Sequence, residues 1–228
     1  MRFIFILTFL CITSSNYSQK NYHFDTVLEY DIKQFTFNNK KDTIDYFLIN
    51  SKNNSYVLHV NNDSLITKFL FIDQNGNSVI GELNSKDFFK AETINNDCNI
   101  VRPFTNPYKK QVENYYYVNL KDTVINTKSY FHYAIKSNKS ISYIKRKNIK
   151  TYHYIVEKDN SNFLPFLLSS TSYEEWKKEK NIPNGVAYII YFEDIEGNIT
   201  TKMTLKNHIS IDKYFTIPKN CDYSIIDK

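Results

Sequence analysis

Residues 24–33 read FDTVLEYDIK, and the spacing of their apolar side chains decides the fold class. Phe24, Leu28, Tyr30 and Ile32 alternate with Asp25, Glu29, Asp31 and Lys33, the period of two that puts one side of a strand in a core and the other in water. Outward from this stretch, β-rich runs follow at residues 43–50, 55–60, 64–72 and 77–83. Polar turn clusters separate them: Ser51 to Asn54, Asn61 to Asp63, and Gln74 to Gly76. Links this short join only antiparallel neighbours, so residues 24–83 read as a β-meander. Further strands are expected at 114–120, 128–136, 141–147, 151–157, 186–193 and 199–206, and in the tail from Phe215. The fold class is mainly β: an antiparallel meander forming a curved sheet or open barrel with one or two short covering helices.

The helical signals are short. Ser85 opens one candidate over residues 86–93. Ser172 and Glu175 form the capping box of a second that runs through Trp176 to Lys180. Glu174 and Glu175 are expected on the exposed face and cap of that helix, where the helix dipole accounts for them. Just before it, residues 163–168 (FLPFLL) cannot form a long strand through Pro165 and read as a lid or plug beside the helix. The motif F-x-D-x-x-G-N occurs twice, from Phe71 and from Phe192, each time as a hairpin in which Asp starts the turn and Gly closes it. Several runs are apolar on both alternations, as in Tyr46/Leu48 with Phe47/Ile49. An antiparallel sheet needs only one dry face. Such strands imply either a curved sheet around a pocket or ordinary sandwich packing with exposed Tyr.

The 228 residues carry a formal charge of +5, with 26 Lys but only three Arg, and 42% are hydrophobic. That excludes disorder, and the scarcity of Arg argues against a nucleic-acid partner, whose phosphates and base edges are read by Arg forks. At the N-terminus Arg2 precedes an apolar run from Phe3 to Ile12 and the small residues Thr13 to Ser15. This is the order of a secretory signal, cleaved after Ser15 or Ser18. Residues 1–18 are therefore expected to be removed, leaving residues 19–228 as one β domain in the periplasm or secreted, without a transmembrane segment. Leu10 before Cys11 argues against lipid attachment at that cysteine. The mature chain keeps Cys98 and Cys221, 123 positions apart, and two readings stand: one disulfide or two separate buried thiols.

Catalytic and cofactor signatures are missing from the sequence: there is no G-x-S-x-G, no phosphate or dinucleotide glycine loop, and no H-E-x-x-H. Neither cofactor nor metal is expected, and the chain reads as non-enzymatic. His132 and His153 lie on neighbouring expected strands and meet in space if those strands pair. The most uneven charge lies in residues 123–156, with seven Lys and Arg and no Asp or Glu among five Tyr. Lys145, Arg146, Lys147 and Lys150 form its densest part. They read either as an anion-facing patch for an envelope protein or acidic glycan, or as a solvated hairpin edge.

Residues 211–219 (IDKYFTIPK) end in the pattern F-x-[IL]-P-[KD], which resembles the ending of the outer-membrane lipoprotein carriers of the lipoprotein-sorting superfamily. The leader, the meander with D-x-x-G-N hairpins and the short helices resemble that family as well. The resemblance implies an open barrel whose apolar cavity shelters a lipid or a lipoprotein acyl chain. It assigns no binding residues here. Asp25-Thr26-Val27 and three similar tripeptides also resemble the D-[ST]-apolar acceptor of O-glycans in some bacterial envelope proteins. The function expected is binding of an apolar or amphipathic ligand in a sheet-lined cavity. The alternative is an envelope interaction module using the 123–156 surface.

Overall fold

Described by a computed structural model, residues 19–36, 39–63 and 65–225 build one curved, open antiparallel sheet with three short helices; the leader expected at 1–18 lies outside the described residues. The elements in order are β1 (Gln19–Thr36), β2 (Asn39–Asn50), β3 (Asn53–Asp63), β4 (Ile66–Asp73), β5 (Asn77–Asn84), α1 (Ser85–Lys90), β6 (Thr93–Asn95), β7 (Val101–Pro103) and β8 (Tyr115–Asn119). Then come β9 (Thr123–Ile125), β10 (Lys128–Ser137), α2 (Ile141–Lys147), β11 (Thr151–Glu157), α3 (Ser170–Glu179), β12 (Ala187–Glu193) and β13 (Ile199–Pro218). Across the sheet the order is β7-β5-β4-β3-β2-β1-β13-β12-β11-β10-β8, with β6 added to β13 and β9 to β10. The meander stands as expected, and its two Gly-closed turns do too. Gly76 and Gly197 take φ of +147° and +86°, and the Asp73 and Asp194 carboxylates accept amides of their own turns.

Three expectations need correction. Residues 141–147 form helix α2, not a strand, because β10 and β11 pair directly from Tyr130↔Glu157 to Ile135↔Tyr152 and leave the intervening segment no edge to join. A helix satisfies its amides internally, and Asn148, at φ 52°, ends it in the left-handed conformation. Residues 199–218 are one strand of 20 residues, not two, since β1 pairs with β13 along most of its length and bulges absorb the polar interruption. Helix α3 starts at Ser170, capped by Ser169, whose hydroxyl accepts from the Ser172 amide at 3.2 Å. Ser172 sits inside the helix and bonds the buried Tyr154 hydroxyl.

Two apolar clusters hold the sheet. On the inner face, Leu28, Tyr30, Phe47, Ile49, Tyr133, Ile135, Tyr154 and Ile190 pack under Phe166, Leu167 and Tyr173. The second cluster joins the other face of β2–β5 (Leu48, Leu58, Val60, Phe69, Phe71, Val79) to Tyr22 and Phe24 of β1, Phe215 and Ile217 of β13, and Phe88 of α1. Strand β2 is thus dry on both sides, as its double alternation requires; β4 is not, since Ile66 and Lys68 on one of its faces are exposed. A buried polar network ties the last turn to β1. The Asn77 amide donates to the Tyr22 hydroxyl (2.9 Å) and to Asp222 (2.7 Å), while Tyr22 donates to Asp73 (2.8 Å). Lys20 lies 3.0 Å from Asp73 and 3.7 Å from Asp222. Burial works against the Asp222 carboxylate, yet hydrogen bonds from Asn77 and Ser224 and the Lys20 charge hold its pKa below the usual value.

Candidate functional site

Proline at position 165 keeps residues 163–168 out of the sheet, and the segment instead crosses the inner face as a strap. The Leu164 amide donates to the Ser51 carbonyl at 2.8 Å, and the Phe163 carbonyl accepts from Gly185 at 2.9 Å. Between these anchors the Phe166 ring enters the sheet's hollow, 5.3 Å from Phe47 and 6.0 Å from Tyr30, centroid to centroid. Tyr30 donates to the Ala187 carbonyl at 2.5 Å, so its polar end is satisfied although it is fully buried. The space left beside the strap, among Ile49, Tyr56, Val57 and Phe166, is about 10 Å³, no more than one water. The hollow expected to shelter a ligand is occupied by the chain's own strap and α3.

The inner face does not stop at the strap. Phe47, His59, Leu70 and Ile80 are successive cross-strand partners on β2, β3, β4 and β5 and therefore share this face. Burial falls along the ladder, from Phe47 in the core to Ile80 at 74% exposed. Over β3–β5 the face is an open groove of about 450 Å³, floored by Leu70 and Ile80 and rimmed by His59, Asn61, Lys68 and Glu82. On the opposite face Gly81 makes room for the Phe69 ring of the second cluster, which a Cβ would meet at 2.5 Å. At the inner wall the buried Asp45 carboxylate is bonded to His59 Nε2 (2.7 Å) and accepts from the Asn61 amide (3.1 Å). The His59 ring stacks on Phe47 at 4.6 Å, so it is fixed from two sides. The groove lining has no Ser, Thr or Cys to act as a nucleophile beside this Asp–His pair. The sequence signal that marks Asp45 is an acid on the apolar alternation of Phe47 and Ile49.

Lys145, Arg146 and Lys147 lie exposed in the last turn of α2, where the helix dipole favours cations. Lys145 is 3.3 Å from Glu196, and Lys150 faces Asp194 across the end of the β12–β13 hairpin. The patch is therefore interleaved with acids from another part of the chain. Cys98 and Cys221 are joined by a disulfide, Cα to Cα 5.5 Å. His132 and His153 meet on the outer face with His132 Nε2 3.3 Å from His153 Nδ1. Burial lowers the His153 pKa to about 4, with the nearby His132 and Lys136 adding to it, and burial lowers His132 too. Glu174 and Glu175 are not on an exposed face: they are 8% and 5% exposed, and accept from Asn106 and Asn181. Asn106, on a loop whose course the sequence does not reveal, reaches Glu174. Thr26 is buried in β1, out of reach of a modifying enzyme.

No protein-family model and no curated protein matches the chain. Solved structures that the chain matches include the MucA/MucB complex of Pseudomonas aeruginosa, at 7% identity and a TM-score of 0.42, over 84% of this chain and 52% of that one. The chain spans about half the length of the MucB structures it matches. A putative outer membrane lipoprotein-sorting protein domain from Vibrio parahaemolyticus matches at 8% identity and a TM-score of 0.35, over 90% of each chain. A LolA superfamily protein from Nitrosomonas europaea matches at 10% identity and a TM-score of 0.28, over 83% of each chain. The resemblance to lipoprotein-sorting proteins is one of architecture. No described helix is long and apolar enough to cross a membrane.

Proposed function

We propose that the mature chain is an exported, non-enzymatic binding protein that seats an apolar or amphipathic chain in the groove over β3–β5. The observation that carries this reading is the continuity of the ladder Phe47–His59–Leu70–Ile80, which runs from the packed core to an uncovered apolar floor. Removing such a floor from water is favourable by roughly 25 cal/mol per Å² of apolar surface. His59, Lys68 and Glu82 on the rim suit a polar head at the groove's edge. The export step rests on the leader at residues 1–18.

Titrating the mature protein with a fluorescent fatty acid tests the reading. Saturable one-to-one binding is expected, weakened at least about tenfold by Ile80→Asp, since a carboxylate on the floor must be desolvated by the bound chain. Ile80 is exposed, so this variant keeps its core. Fatty-acid binding indifferent to Ile80→Asp overturns the groove. Salt-sensitive retention on anionic vesicles that disappears in the Lys145→Glu, Arg146→Glu, Lys147→Glu triple variant, with no fatty-acid binding, moves the function to α2.

A further inference from the structure

Strands β10, β11 and β12 send Tyr133, Ile135, Tyr154, Val156 and Ile190 to the inner cluster, so His132, His153 and Tyr191 stand on the outer face. There His132 Nε2 and His153 Nδ1 face each other at 3.3 Å, and the Tyr191 hydroxyl lies 3.3 Å from the same His132 nitrogen. Tyr191 also stacks on the His153 ring at 4.3 Å, which fixes the ring plane. The nitrogen spacing is long for a hydrogen bond, whose usual limit is about 3.2 Å. It is the spacing a shared ion needs: metal–nitrogen bonds of about 2.0–2.1 Å at a tetrahedral angle set two ligand nitrogens roughly 3.3–3.4 Å apart.

The far side of His153 points the same way. Its Nε2 is buried without a hydrogen-bond partner, and the nearest carboxylate, Glu193 Oε2, stands 3.8 Å off. Whichever ring of the pair carries the shared proton, His153 Nε2 is left as a bare acceptor or an unused donor, which is unfavourable for a buried polar atom. An ion on Nδ1 puts the proton on Nε2, where a small movement of Glu193 accepts it. Metal-bound histidines are habitually oriented by such a carboxylate.

We propose that His132 Nε2 and His153 Nδ1 form a two-histidine site for a borderline divalent transition-metal ion such as zinc, with Glu193 orienting His153 and the Tyr191 hydroxyl beside the water-filled positions. Imidazole nitrogens select this class of ion over calcium or magnesium, which take oxygen ligands. The site lies on the face opposite the strap and owes nothing to the groove.

The test is calorimetric titration of the chelator-treated protein with Zn²⁺, alongside nitrogen-15 spectra of the histidine rings. One ion per chain is expected, with the His132 Nε2 and His153 Nδ1 resonances moving together. His132→Ala removes binding, and Glu193→Gln weakens it about 10–100-fold; the exposed His208→Ala leaves it unchanged. His132 is half-buried, so this variant is the decisive one, with circular dichroism to verify its fold; His132→Asn serves if alanine does not fold. Zinc binding that survives the His132 substitution, or no binding at millimolar zinc, overturns the site.

Discussion

Replacing Phe166 by Ala asks whether the strap is part of the core or merely lies on it. The ring is 5% exposed and wedged between Phe47 and Tyr30, with Leu167 beside it in the same cluster. Deleting a buried Phe side chain to Ala costs about 3–5 kcal/mol, the transfer term plus the cavity left behind. For a chain of this length that lowers the melting temperature by roughly 6–20 °C. The backbone anchors at Ser51 and Gly185 do not involve the ring, so the strap stays in place and a hole opens beneath it. Urea unfolding followed by Trp176 fluorescence measures the loss, and an environment-sensitive apolar dye measures the new cavity. A loss below about 1 kcal/mol, within the range of ordinary surface substitutions and their scatter, refutes the strap as a core element and makes it a loosely held cover.

Two other tests address the closure of the chain's ends. Cys98→Ser with Cys221→Ser releases a loop of 123 positions, for which chain entropy gives about 5 kcal/mol as an upper bound; equal denaturation midpoints with and without reductant contradict it. Asn77→Ala removes the donor shared by Tyr22 and Asp222, costing about 1–3 kcal/mol. Because the folded pKa of Asp222 is depressed, its contribution is present above the unfolded value near 3.9 and is lost as the pH falls through the folded one. Asn77→Ala therefore also moves acid unfolding to higher pH, and an unchanged acid midpoint contradicts the network's role.

The meander was legible because period two survives any sheet curvature: Phe24, Leu28, Tyr30 and Ile32 are all buried. Residues 141–147 misled because Ile141 and Tyr143 also alternate, and nothing local says that β10 and β11 would pair past them; Ile141 ends 71% exposed on α2. The burial of Glu174 and Glu175 is not legible locally, because it depends on tertiary packing in which Asn106 reaches Glu174 from a remote loop. The meeting of His132 and His153 followed from strand order. The open groove did not, because it depends on where the strap stops, and that is set by anchors at Ser51 and Gly185 rather than by the strap's own residues.

The pairing of β1 with β13 has a consequence for synthesis. These are the first and last described strands, and they lie side by side in the middle of the sheet. A chain that emerges from its N-terminus can complete the β1–β5 meander early, yet one long edge of β1 then waits, unpaired, until residues 199–218 arrive. An open strand edge is a template for pairing with other chains, and such non-local closure is slow. The interval between the emergence of the two strands is therefore when this protein is most exposed to aggregation, and a chaperone that shields β1 during synthesis would act at the point of greatest need.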